Sequence, residues 1–156
     1  MRSKSQQTVQ ANGLKVAVLV SSYHNEITKK LLNGAKTAFI KSGGSRDNCH
    51  SIKVSGAWEL PVVASTIARK GQVDGIVALG CIISGETTHD QVIADAIAEG
   101  LMTVSISHNL PVGMGVLTCQ TLQQANDRAD GKNGNKGSEA MNATLSTIAA
   151  IRDIHQ

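Results

Sequence analysis

The residues best suited to chemistry are gathered in Ser84-Gly85-Glu86-Thr87-Thr88-His89-Asp90, directly after the most apolar run of the chain. A glycine, two threonine hydroxyls and several unpaired backbone amides at the start of a helix make a ready anion site, because N–H groups and the helix dipole both favour negative charge. His89 lies one turn in, close enough to exchange protons with whatever those amides hold. An ordinary helix cap carrying a surface histidine accounts for the same residues, and the spacing alone does not choose between the two.

A second group is Val54-Ser55-Gly56-Ala57-Trp58-Glu59-Leu60-Pro61. Gly56 and Ala57 are small enough for backbone amides to approach a ligand, and Trp58 and Glu59 open a helix where a carboxylate is favoured by the dipole. Capping alone also explains that arrangement. Tyr23, in Ser21-Ser22-Tyr23-His24-Asn25, is either a flat ring for a planar ligand or a half-buried phenol in a turn. Arg128 and the loop Gly131-Lys132-Asn133-Gly134-Asn135-Lys136-Gly137 can cradle an anion, yet the Walker spacing is missing and a solvated turn serves equally well. His24, His50, His108 and His155 lack carboxylate or cysteine partners at ligand spacing, so no metal centre is expected. Neither a GxGxxG fingerprint nor a GxSxG elbow is present.

These groups share a setting, since the first three each follow a strand. Leu14–Val20 is a near-continuous aliphatic run, the mark of a strand buried on both faces. From Glu26 to Ser42 the period becomes helical, with Ile27, Leu31, Ala35, Ala38 and Phe39 on one side and Gly43-Gly44 as the stop. Cys49–Val54 reads as a second strand, Leu60–Lys70 as a second helix with Pro61 in its first turn, and Gly75–Ile83 as a third strand. A helix from about Asp90 to Gly100 is expected next, then strands at Met102–Ser107 and Val112–Thr118 joined through Asn109-Leu110-Pro111. The tail reads as a short helix, Leu122–Ala129, the loop Asp130–Gly137 and a long helix from Glu139 to about Asp153. Alternating strands and helices, with strands apolar on both sides, predict a three-layer α/β/α sandwich on a mostly parallel sheet of four or five strands, flavodoxin-like in class. In such sheets ligands sit at the carboxyl ends of the strands.

Composition narrows the class further. A chain of 156 residues is one domain, and a hydrophobic fraction of 41% supports a core. Its only aromatics are Tyr23, Phe39 and Trp58, so aliphatic side chains and alanine must do the packing. Residues 1–13 are polar and aperiodic and are expected to be a flexible segment ahead of a single domain at 14–156. Fifteen Lys+Arg against twelve Asp+Glu gives a scattered net charge of +3, which argues for neither nucleic acid nor an anionic membrane as partner. The apolar runs are too short to span a bilayer, and Met1-Arg2-Ser3-Lys4-Ser5 has no apolar stretch after it, so no secretory signal is expected. Cys49, Cys81 and Cys119 form neither a metal spacing nor an even set, which fits free thiols in a reducing cytoplasm.

The combination of motifs resembles the lumazine synthases, the 6,7-dimethyl-8-ribityllumazine synthase family, from about Leu14 to Ile151. Gly56-Ala57-Trp58-Glu59-Leu60-Pro61 is similar to the family's G-A-[WYF]-E-[IL]-P, and Leu79-Gly80-Cys81-Ile82-Ile83-Ser84-Gly85-Glu86-Thr87-Thr88-His89 to its L-G-x-[VI]-I-[RK]-G-x-T-x-H. Pro111-Val112-Gly113-Met114-Gly115-Val116-Leu117-Thr118 is similar to P-[VI]-x-[FW]-G-[VI]-[LV]-T, and Arg128 with Asn135-Lys136-Gly137 to the tail signature. The resemblance implies condensation of 5-amino-6-(D-ribitylamino)uracil with 3,4-dihydroxy-2-butanone 4-phosphate, releasing phosphate and water, without a metal or organic cofactor. It also implies roles. Tyr23 would stack on the pyrimidine, with Cys81, Ile82 and Ile83 presenting backbone groups to its edge, and Ala57, Trp58 and Glu59 would hold the ribityl chain. Gly85, Glu86, Thr87 and Arg128 would grip the phosphate, His89 would shuttle protons, and Lys136 would supply positive charge near the substrates. In this family the site lies between adjacent subunits of a pentamer, with Met114, Arg128 and Lys136 coming from the neighbour, and some members build a 60-subunit shell. His24 stands where asparagine is common, Ser84 where Arg or Lys is usual, Met114 where an aromatic packs over the ring, and Asp90-Gln91 where an aromatic–acid pair follows the histidine. Those departures keep open a non-catalytic flavin-binding or shell-forming relative as the alternative.

Overall fold

The segments at 16–21, 49–54, 75–83 and 112–119 form the sheet of a computed structural model that describes residues 9–156. Residues 1–8, most of the segment expected to be flexible, lie outside the described residues. Strands β1 (Val16–Ser21), β2 (Cys49–Val54), β3 (Gly75–Ile83) and β4 (Val112–Cys119) are all parallel and lie in the order β2-β1-β3-β4. Because side chains alternate along a strand, β1 and β3 feed two separate cores. Val16, Val18, Val20, Val77, Leu79 and Cys81 pack toward helices α1 (Asn25–Lys41) and α5 (Lys136–His155). Leu19, Ile76, Ala78 and Ile82 pack toward α2 (Leu60–Lys70) and α3 (His89–His108). The result is the expected three-layer α/β sandwich, with four strands in its sheet.

One predicted strand is a helix. Met102–Ser107 belongs to α3, which runs on to His108 without stopping at Gly100. The β-branched residues there suggest a strand, but Ile97, Leu101 and Val104 recur at helical spacing and are the buried positions of the segment. Gly100 answers to packing and not to termination, because a Cβ at that position would come within 2.9 Å of Pro61 Cβ on α2. Asn109, in the left-handed conformation at φ 48°, ends the helix instead.

The tail is also more ordered than expected. After α4 (Leu122–Arg128), the glycine-rich loop folds into a small antiparallel pair, β5 (Ala129–Gly131) and β6 (Gly134–Asn135). Helix α5 then starts at Lys136, ahead of the expected Glu139, because the Asn135 side chain caps it by accepting the Ser138 N–H at 3.0 Å. At Gly137 a Cβ would fall on the Leu31 carbonyl oxygen, so only glycine lets α5 seat this closely on α1. At the other end, Ala11 is fully buried and its N–H donates to Ser42 O at 2.7 Å. Packing therefore begins a few residues before Leu14. Among the described residues no helix is long and apolar enough to cross a membrane.

Candidate active site

The strand order fixes where a ligand can enter. From β1 the chain crosses to β2 on one side and returns to β3 on the other, and that reversal leaves a crevice between the carboxyl ends of β1 and β3. A cleft of about 560 Å³ opens there, within the range of small-molecule sites. Tyr23 and His24 enter it from the end of β1, and Gly56, Ala57 and Trp58 from the end of β2. Cys81, Ile82 and Ile83 form the end of β3, and Gly85, Thr87 and His89 form the corner that follows.

Two of the three aromatic side chains stand out of the core at this cleft. Tyr23 is 69% exposed and Trp58 59%, whereas Phe39 is fully buried. Tyr23 meets the His24 ring edge-on, with centroids 4.7 Å apart, which leaves a phenol face for a planar ligand. Glu59, at the end of the turn Ala57–Glu59, lines a shallower hollow with Trp58 and Pro61, and its Oε2 lies 3.0 Å from where a Gly56 Cβ would stand. Glycine at 56 thus leaves the carboxylate its place.

At the corner, the amides of Gly85, Glu86 and Thr87 donate to no carbonyl or side chain among the described residues. Their residues are exposed beside the first turn of a 20-residue helix whose N-cap, Thr88, makes no side-chain capping bond. Thr87 Oγ1 accepts the His89 N–H at 3.3 Å, so its own hydroxyl proton is free for an anion. Glu86 is exposed and does not line the cleft.

No lysine or arginine lines this cleft. Arg128 and Lys136 border a separate one of about 370 Å³ beside β4, with Thr118, Cys119 and Glu139. There Arg128 Nη1 donates to Gln124 O at 3.2 Å, and Lys136 Nζ lies 3.9 Å from Glu139 Oε2. Met114, on the same strand, borders a third hollow with Ser84, Asp90 and Cys119. One chain therefore brings Tyr23, Ala57, Trp58, Cys81–Ile83, Gly85, Thr87 and His89 together on the β1 side of β3, and keeps Met114, Arg128 and Lys136 on the β4 side.

The family model for 6,7-dimethyl-8-ribityllumazine synthase matches residues 13–152. The chain belongs to that family. Among its relatives, the 6,7-dimethyl-8-ribityllumazine synthase of Lawsonia intracellularis is 38% identical over 92% of both chains. Those of Deinococcus deserti (38% identical over 94% of both chains) and Desulfovibrio desulfuricans (39% over 92% of both) are similar to the same extent.

Within this lumazine synthase family fold the three cysteines are free and buried. Burial pushes the Cys81 thiol up to about 11, with the neighbouring Cys119 adding to the rise, and burial likewise raises Cys49 and Cys119. At neutral pH Cys81 is a protonated core side chain, so it offers the cleft its backbone and no nucleophile. Sequence reasoning missed Ile93 and gave Asp90 no role of its own. Ile93 lines the cleft one turn beyond His89, as the i+4 spacing allows. Asp90 lines it too, accepting the Ser84 hydroxyl at 2.9 Å. Ser21 Oγ, buried at the end of β1, is the one buried side-chain polar atom without a partner among the described residues.

Proposed function

We propose that the protein condenses 5-amino-6-(D-ribitylamino)uracil with 3,4-dihydroxy-2-butanone 4-phosphate to 6,7-dimethyl-8-ribityllumazine, releasing phosphate and water. The observation that carries this reading is one cleft holding a flat-ring surface, Tyr23, beside an anion corner, Gly85–Thr87, with the His89 imidazole adjoining. The substrates are a planar pyrimidine with a polyol arm and a small phosphorylated ketone, and each has a matching surface. Tyr23 stacks on the pyrimidine, with Cys81–Ile83 backbone groups at its edge. The segment Ala57–Glu59 receives the ribityl hydroxyls. Free amides and the Thr87 hydroxyl hold the phosphate. His89 takes a proton from the amine as it attacks the ketone and returns one to the departing oxygen. The reaction has no net oxidation or reduction, and much of the acceleration comes from holding two reactive molecules side by side.

We further infer that the working site lies between two copies of the chain. The cleft has no cationic side chain of its own, while Arg128 and Lys136 stand in a separate hollow beside β4, where a neighbour's phosphate corner can meet them. A pentamer, alone or as the unit of a 60-subunit shell, supplies that arrangement, with Met114 of each chain covering the next chain's pyrimidine. A cytoplasmic location fits the free thiols.

Mixing the purified protein with both substrates and following lumazine absorbance tests the reading. The expected result is a rate well above the uncatalysed background, lowered about 10- to 100-fold in His89→Ala but not abolished, because positioning survives. A background rate together with tight flavin binding would replace the enzyme by a flavin-binding relative. Light scattering distinguishes a pentamer from a shell.

A further inference from the structure

We propose that Ser84 and Asp90 are positioning residues, whose mutual hydrogen bond holds the Gly85–Thr88 corner in the shape that receives a phosphoryl group. The inference rests on the reading above and adds two residues to which that reading gives no role.

The loop has two anchored ends and little between them. At its entrance the Ser84 N–H donates to Cys119 O at 2.8 Å, which ties the loop to the end of β4. Across its exit the Ser84 hydroxyl donates to Asp90 Oδ2 at 2.9 Å in the first turn of α3. Ser84 is thus bonded to β4 through its backbone and to α3 through its side chain, which closes a ring around Gly85–Thr88. Within it, Thr87 Oγ1 accepts the His89 N–H at 3.3 Å and Thr88 O accepts the N–H groups of Gln91 and Val92 at 3.1 and 3.3 Å, while the Gly85 and Glu86 N–H groups have no partner among the described residues. Nothing packs on the loop at Gly85, where a Cβ would meet no atom within 4 Å. A loop without packing takes its shape from its ends, and a loop already held in its bound shape loses less entropy when an anion arrives.

The position of Asp90 makes the bond more than a local cap. Asp90 borders both the 560 Å³ cleft and the hollow beside Met114, and Ser84 borders the second of these. A carboxylate near a phosphate is electrostatically unfavourable, and the acceptor role gives this one a reason to be there: Oδ2 is engaged by the Ser84 hydroxyl. An amide oxygen at the same position keeps the acceptor and removes the charge, which separates the two effects.

Binding of inorganic phosphate, followed by ³¹P NMR titration of the full chain, is measured together with steady-state kinetics for the phosphorylated ketone. Ser84→Ala is expected to weaken phosphate binding and raise KM for that substrate about three- to tenfold, the net worth of one ordinary hydrogen bond at an exposed site, with kcat within about twofold. Ser84→Thr and Asp90→Asn keep the bond and are expected to bind phosphate within about twofold of the parent, or more tightly for Asp90→Asn. Unchanged binding and KM in Ser84→Ala overturns the proposal, as does an Asp90→Asn protein as weak as Ser84→Ala, or a parent that binds no phosphate. A parent that binds phosphate but forms no lumazine defeats the proposed reaction alone, and the titration still decides the role of the pair.

Discussion

His24 starts α1 with φ 56° and ψ 48°, a left-handed conformation that costs most side chains energy but is tolerated by asparagine and histidine. Its carbonyl accepts the N–H groups of Ile27 and Thr28 at 3.0 and 3.1 Å, so the strained residue is what turns the chain from β1 into the helix. Histidine here, and not asparagine, buys an edge contact with Tyr23, tying a backbone requirement to the orientation of a ligand-facing ring. Cys81 illustrates a different coupling, between burial and pH. Because its folded pKa lies above the unfolded value of 9.0, at about 11, the folded state holds the thiol proton more tightly. The associated stability is complete below pH 9 and is lost as the pH rises toward 11. Urea midpoints measured across that window should fall with pH in the parent protein and fall less steeply in Cys81→Ala, whose overall midpoint is lower because of the cavity.

Among the elements, α3 is where local preference and packing compete. Replacing Gly100 by alanine gains about 1 kcal/mol of helix propensity. It also drives a methyl group to 2.9 Å from Pro61 Cβ, and overpacking of that kind costs about 1–3 kcal/mol. The proline ring cannot swing aside, so Gly100→Ala should lower the thermal midpoint; a rise would show that α2 can yield. The same helix marks the limit of legibility in the sequence. Two-sided strands such as Val16–Ser21 announce themselves, because every residue is buried and apolar or small. Thr103, Val104 and Ile106 weigh toward a strand, and only the burial of Ile97, Leu101 and Val104 on one face shows the helix. The site divides in the same way. The corner Gly85–His89 is local in sequence and readable as a motif, as is the turn Gly56–Glu59. That Arg128 stands across β3 from that corner follows from strand order, and the Ser84–Asp90 bond from the turn of the loop; neither is written in residue spacing.

For the whole molecule, the proposed site between copies makes assembly a condition for chemistry, because the Gly85–Thr87 corner and Arg128 border different hollows of one chain. If His89 and Arg128 meet only across a boundary between copies, two crippled proteins can rescue each other. Purified His89→Ala and Arg128→Ala proteins, unfolded together and refolded as mixed assemblies, should regain about a quarter of parental activity, the share of boundaries that pair an intact histidine with an intact arginine. Mixtures no better than the mean of the two variants would show that each chain works alone. The course of α5 has one more consequence. Its first residue borders the hollow of Arg128, and its last turn is drawn back to the amino end of the sheet, where Arg152 lies 3.6 Å from Asp74, just ahead of β3. With nine residues of β3 between those levels, a peptide fused behind Gln156 would emerge at the pole opposite the reaction, about 30 Å away. A tag attached there leaves the cleft at the strands' carboxyl ends uncrowded.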